Sequence, residues 1–225
     1  MNCLPTTQKL WELLQSGIHR IGELEIQTIN STNSFILTHM ADGERARLPG
    51  YGGLKVHTGP TDAREIATFA QDGTYRFTKV QINLQSGWVM QLGNVDDLRL
   101  ALDQFYPACV GLFIAREEGR LEVEMLRDKL QRQTGMYRFT RSISDAGAQQ
   151  LVREVCGPAN QCARKILWQI APNTPLEDSD ASRYNGIPGN VPEGQAIPLL
   201  CREACNHFVA ECRRVAKEES VAKSI

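Results

Sequence analysis

The chain has 225 residues, enough for one large domain or two small ones, and 42% of them are hydrophobic, so a sizeable core can form without covalent staples. Lys plus Arg number 25 against 26 Asp plus Glu, a net charge of −1, which argues against nucleic acid or an anionic membrane as the main partner. No apolar run approaches the ~20 residues of a membrane span, and the first residues lack the basic and apolar regions of a signal peptide.

A cytoplasmic location is therefore expected. In such a compartment clustered cysteines serve as ligands rather than disulfides. There are seven cysteines, an odd number that cannot all pair within the chain.

In chain order, Leu10, Leu13 and Leu14 recur at helical spacing, predicting a helix over 6–16 that Gly17 stops. Residues 21–30 and 34–40 read as two strands joined by the turn composition Asn30-Ser31-Thr32-Asn33, a hairpin. Leu48 to Gly53 reads as a loop. Asp62, with Glu65 three residues on, predicts a capped helix to about Gln71. Strands are expected over 75–84 and 87–92. Asn94 then caps a helix over 95–105 with Leu98, Leu102 and Phe105 on one face, ended by Tyr106-Pro107.

Beyond Pro107 the character changes. Residues 120–133 read as a charged amphipathic helix, 136–143 as extended, and Asp145 as the cap of a helix running into Cys156, with Leu151, Val152 and Val155 as its apolar face. Residues 163–170 suit helix or strand equally. Ala171 to Pro198 is rich in proline and glycine and has no apolar period, the signature of a long irregular loop. A last helix is expected from Pro198 to about Glu218. The whole reads as an α+β protein: a mixed sheet-and-helix part over 1–115, then a mainly helical part over 116–225.

Four cysteines carry the chemistry. Cys156 and Cys162 form C-x5-C, and Cys201 and Cys205 form C-x3-C. Four thiolates can hold one soft metal centre, a [4Fe–4S] cluster or a zinc ion. Structural zinc pairs favour shorter spacings, so C-x5-C tilts toward iron–sulfur. On a helix reaching back to Pro198, Cys201 and Cys205 would project from one face a turn apart. Cys212 would lie ~10 Å further along that helix, too far to share the centre. Cys109 suits a small buried apolar residue, and Cys3 falls in a terminus expected to fray.

His19, His39, His57 and His207 are dispersed without metal spacing and read as structural. No GxSxG, Walker or GxGxxG sequence is present. Arg164, Lys165, Arg202, Arg213 and Arg214 lie near the cysteines in sequence, with Arg138 and Arg141 as further candidates. Such cations would stabilise a reduced cluster or hold carboxylates.

Several segments together point to a family. Gly87-Trp88, Gln91-Leu92-Gly93, Asp97-Leu98 and Ala101-Leu102-Asp103 with Tyr106-Pro107 form one. Arg132 to Arg138, Cys162 with Arg164 and Leu167-Trp168, and Cys201-Arg-Glu-Ala-Cys205-Asn206 form the others. They resemble the C-terminal extension of CbiX-type sirohydrochlorin chelatases, a small stabilising domain followed by a [4Fe–4S] domain. The resemblance spans about residues 50–215, without the family's catalytic region or its histidine motif.

It implies that Cys156, Cys162, Cys201 and Cys205 ligate the cluster. It further implies an electron-transfer or redox-sensing accessory in tetrapyrrole metabolism, with a chelatase or redox protein, or a tetrapyrrole, as partner. The alternatives are a stand-alone chelatase or reductase acting on a sirohydrochlorin-like macrocycle, and an interaction module with a structural cluster.

Overall fold

The computed structural model describes residues 5–29, 31–76, 79, 82–126, 128, 142–156, 162, 164–170, 194–202 and 204–222. The chain divides into two compact units. One runs to Arg120 and takes in Ile187–Leu199; the other holds Leu121–Gly186 and Leu200–Ile225.

The first unit is built on a six-stranded mixed sheet. Its strands are β1 (Arg20–Ile21), β2 (Leu24–Ile29), β3 (Ser34–His39), β4 (Lys55–His57), β5 (Trp88–Leu92) and β9 (Ala196–Ile197), in the order β4-β5-β3-β2-β1-β9. The predicted hairpin forms: β2 and β3 pair antiparallel from Leu24 opposite His39 to Ile29 opposite Ser34. Asn33 takes the positive φ of 50° that the turn needs and that Asn tolerates.

The first predicted strand is broken at Gly22-Glu23, where β1 folds back on β2. Gly22 has φ +55°, and a Cβ there would meet the Tyr106 ring and Leu199 at 2.9 Å, so the turn admits no side chain.

Phe35 to His39 are all buried, which sets β3 in the middle of the sheet with both faces covered. On one face α1 (Pro5–Gln15) brings Trp11 edge-on to Phe35 at 6.0 Å between centroids. The amphipathic helix α4 (Val95–Phe105) stacks Phe105 on Trp88 at 5.3 Å. Its cap is the predicted one: Asn94 Oδ1 accepts from the Asp97 N–H at 2.9 Å. Ile36 and Val89 pack with Ala46, from the short helix α2 (Gly43–Ala46), and with Leu54.

Two short helices complete the unit. Helix α3 (Ala63–Thr68) is shorter than its sequence pattern, and Asp62 makes no side-chain cap bond. Its carboxylate is taken instead by His57 Nδ1 at 3.1 Å. Helix α5 (Cys109–Glu117) has no clear sequence signal, because Pro107 stands just ahead of it; the chain reverses through Ala108 at φ 58° before it starts. Cys109 is buried there, as expected. Of the strand expected over 75–84, the described residues show only isolated bridges, Tyr75 to Phe69 and Leu84 to Ala70, and residues 77, 78, 80 and 81 lie outside the described residues.

At the centre of this unit lies a buried polar network. The Tyr106 hydroxyl donates to Glu23 Oε2 at 3.0 Å and accepts from the Glu23 N–H, while the Leu84 N–H donates to Glu23 Oε1. Arg76 and His39 stand 3.6 Å from the same carboxylate. Burial, then the Glu23 charge, pushes the Tyr106 hydroxyl far above its ordinary range.

The second unit joins two small sheets to two helices. Strand β6 (Glu124–Met125) lies parallel to β8 (Trp168–Gln169), and β7 (Arg164–Ile166) pairs with β10 (Leu199–Cys201). Glu124–Met125 therefore corrects the helix expected from residue 120: the two residues find their partners in β8 instead. The ambiguous run 163–170 resolves as strand. Leu126 and Asp128, later in that expected helix, are helical. Residues 129–141 and 171–193 lie outside the described residues; the end of the expected loop is described and forms β9 at Ala196–Ile197 instead.

Helix α6 (Asp145–Leu151) continues as one wide π-helical turn, Val152–Cys156. Its cap is Ser144, not Asp145: the Ser144 hydroxyl accepts from the Gly147 N–H at 3.0 Å. The helices α6 and α7 (Asn206–Ala222) approach closely at Gly147, where a Cβ would run into the Glu219 carboxylate. The core between these elements contains Leu151, Val152, Val155, Cys156, Ile166, Trp168, Phe208, Val209 and Cys212. Together the units give the α+β architecture.

Among the described residues no single helix is long and apolar enough to cross a membrane.

Candidate metal centre

Each of the four predicted thiols is positioned by a different local device. Cys156 closes the π-helical turn after α6, a wider turn than an α-helix allows, of the kind that recurs at functional sites. Cys162 is buried just ahead of β7, and its sulfur accepts the backbone N–H of Arg164. Cys201 is the last residue of β10, fixed by the Leu167 N–H donating to its carbonyl at 2.9 Å. Cys205 caps α7: its carbonyl accepts from the Val209 N–H at 2.9 Å and its sulfur from the Phe208 N–H at 3.4 Å.

This corrects the expectation that Cys201 and Cys205 share a helix face. Leu199-Leu200-Cys201 is an apolar run that satisfies its backbone in the β7–β10 pair, and α7 begins only at Asn206. One thiol thus comes from a strand end and the other from a helix N-terminus.

Three of the four nonetheless meet at one core. Cys156 belongs to the core of the unit, with Cys201 and Cys205 packed against it. Burial, then repulsion from Cys162, Cys201, Cys205 and Cys212 in turn, pushes the Cys156 thiol far above its usual range. Burial also raises Cys162, against the Arg164 N–H and guanidinium, which favour the thiolate.

Cys201 is pushed up to about 12, first by burial. The Trp168 indole N–H and the Arg164 charge oppose that rise, and Cys205 and Cys162 add to it. Cys212 is fully buried in the same core, and burial, then Cys205, then Glu211, raises it to about 12. Cys156, Cys162, Cys201 and Cys212 thus release a proton less readily than ordinary thiols, and a bound metal would offset that cost for any of them that serves as a ligand.

The donor set is soft throughout: four sulfurs, with thiols, Arg164 and Trp168 as the groups acting on them. That suits iron–sulfur chemistry, in which each thiolate takes a separate iron rather than converging on one ion. Among the described residues no three His, Cys, Asp or Glu side chains are gathered to hold one metal ion.

Of the cations predicted near the site, Arg164 is engaged, donating through Nη1 to the Leu200 carbonyl at 3.0 Å. Arg202 is exposed, and Arg214 is paired with Glu211 and Glu218. Arg138 and Arg141 lie outside the described residues. The histidines take no part as a group: His57 is held by Asp62, His39 stands beside Glu23, His19 bonds the Gly17 carbonyl, and His207 sits half-buried in the first turn of α7. Trp168 was not singled out by any spacing; only its packing brings its indole to Cys201.

Residues 118–214 match the model of a 4Fe-4S iron-sulfur cluster binding domain. The cofactor of this region is a [4Fe–4S] cluster. Residues 7–116 match the DR2241 stabilising domain. Among solved structures the chain is similar to DR2241 from Deinococcus radiodurans, described as a multi-domain protein with structural similarity to chelatases and two additional novel domains. The TM-score is 0.69 at 24% identity, over 95% of this chain. The chain spans 42% of the length of that protein. No curated protein matches this chain.

Proposed function

We propose that the cluster is ligated by Cys156, Cys162, Cys201 and Cys205, and that the chain is a cytoplasmic electron-transfer or redox-sensing accessory in sirohydrochlorin or tetrapyrrole metabolism. The observation that supports the ligand assignment is the core itself, which includes Cys156 and has Cys201 and Cys205 packed against it. A bound [4Fe–4S] cluster supplies one-electron chemistry. The protein's own residues hold it, shield it from water and place cations beside it.

Support for the tetrapyrrole link is the similarity to a protein described as chelatase-like. The partner would be a chelatase or redox protein, or the macrocycle itself. The macrocycle's carboxylates suit Arg138, Arg141, Arg164, Lys165 and Arg202. Binding of sirohydrochlorin or siroheme should weaken with salt, because exposed charges are screened.

The test is anaerobic purification with iron and sulfide analysis, followed by a redox titration. The reading expects four irons and four sulfides per chain and a reversible couple. A chain that binds zinc alone ends it. A second reading, a purely structural cluster, is favoured by one observation: the thiols are embedded in the core that holds α6 and α7 together. A cluster without a reversible couple would decide for that reading.

A further inference from the structure

The three N–H groups around the thiols differ in kind. Those of Arg164 and Phe208 are backbone donors, bound to Cys162 and Cys205, and any residue at those positions supplies them. The donor at Cys201 is a side chain. The Trp168 indole is 1% exposed, and among the described residues its Nε1 completes no hydrogen bond of standard geometry.

An indole nitrogen only donates, and leaving it unsatisfied in an apolar core is costly. Its neighbour in that direction is the Cys201 sulfur. Two contacts fix it there. The Leu167 N–H bonds the Cys201 carbonyl at 2.9 Å, which brings the next residue alongside Cys201. Phe208 holds the ring from its other side, 5.3 Å between centroids.

Arg164 repeats the pattern. Its Nη1 is anchored on the Leu200 carbonyl at 3.0 Å, while its Nε is buried without a partner among the described residues.

We infer that Trp168 and Arg164 set the reduction potential of the cluster. The indole N–H donates to the Cys201 thiolate, and the guanidinium, anchored on the Leu200 carbonyl next to Cys201, places a fixed positive charge near the thiolates. The inference rests on the ligand assignment and redox reading above. Both groups act as positioning residues through the thiolates. Reduction adds an electron to the cluster and negative charge to its sulfurs. A hydrogen bond or cation at a sulfur stabilises that added charge and raises the potential. Neither group is needed to hold the metal, since neither is a ligand.

The test is a spectroscopic redox titration of the reconstituted full chain, with iron and sulfide counted in every sample. Trp168→Phe keeps most of the ring and its packing on Phe208 while removing the donor. Arg164→Gln removes the charge from a residue at the border of the core. Each is expected to retain the cluster and to lower the reduced-to-oxidised ratio at fixed ambient potential about tenfold, a fall of about 59 mV for a one-electron couple. Wild-type potential in both variants, with full iron content, overturns the inference and leaves the ligand reading standing.

If Trp168→Phe fails to fold, Arg164→Gln decides by the same measure. Full iron and sulfide in Cys201→Ser would instead sink the ligand assignment. A wild-type cluster with no reversible couple would sink the redox reading. These failures are therefore distinguishable.

Discussion

At Cys156 burial and four neighbouring thiols act in the same direction, against ionisation. Such a site is stable either protonated or metallated, and poorly stable as a set of bare thiolates. Serine at Cys156, Cys162, Cys201 or Cys205 should therefore abolish or strongly reduce cluster content, measured as iron and sulfide per chain. Cys212 shares the core, but it lies seven residues along α7 from Cys205, ~10 Å away at helical rise. Cys212→Ala should keep full iron content; loss of iron there would show that the ligand set has been misassigned.

A second residue to test is Ser144. Its hydroxyl caps α6 and also bonds Glu219 on α7, and its N–H donates to the same carboxylate at 2.9 Å. Ser144→Ala should destabilise the second unit by about 1–2 kcal/mol, read from denaturant unfolding of the cluster-bound protein.

The four cysteines proposed as ligands stand out in the chain because thiol chemistry is a matter of residue type and pairing. How they are presented does not. A period-based helix from Pro198 treats Leu199 and Leu200 as a helix face, yet in the fold the β7 backbone claims them as a strand. Trp168 entered the sequence reading only beside Leu167 in the family resemblance; no spacing ties it to Cys201, 33 positions away, because that contact depends on packing.

At the scale of elements, those framed by local chemistry were the ones the sequence specified well. The hairpin β2–β3 has its Asn-rich turn, and α4 has Asn94 ahead of it and Pro107 behind. The strands β6, β7, β8 and β10 are two or three residues long and exist only through their partners, so no window of sequence contains the cause. Around them the thiols make the second unit sensitive to pH when metal is absent.

The folded thiols of Cys201 and Cys212 titrate near 12, against ~8.5 in an unfolded chain. The folded state thus holds its protons more tightly. The stability this contributes is complete below pH ~8.5 and is lost as pH rises toward 12. Apo protein should therefore unfold in this unit progressively through that window, by circular dichroism or fluorescence of Trp168. The cluster-bound form, whose thiolates are already deprotonated and paired with iron, should not follow the same curve. Matching pH profiles with and without iron would contradict this linkage.

For the whole molecule, the two units are stabilised by unlike means. The first carries its own core of Phe35, Leu37, Trp88, Met90 and Phe105, together with the Glu23–Tyr106–Arg76 network. Glu23 is 1% exposed, and removing its charge would leave Arg76 buried without its carboxylate. Glu23→Ala should accordingly destabilise this unit by about 3–5 kcal/mol while leaving cluster spectra unchanged.

The second unit has Cys156 and Cys212 in its core with Cys201 and Cys205 packed against it, so metal binding should couple to folding there. On removal of iron, amide exchange should accelerate in α6, the π-helical turn and α7, because their shared contacts run through Cys156, Cys205 and Cys212. Exchange in β2, β3, β5 and α4 should stay slow. The comparison requires the intact chain, with and without cluster, in one buffer below pH 8, where the apo thiols remain protonated. Equal protection of both units in the two forms would mean that the core of the second unit is self-sufficient, and that the cluster is a guest in it rather than part of its architecture.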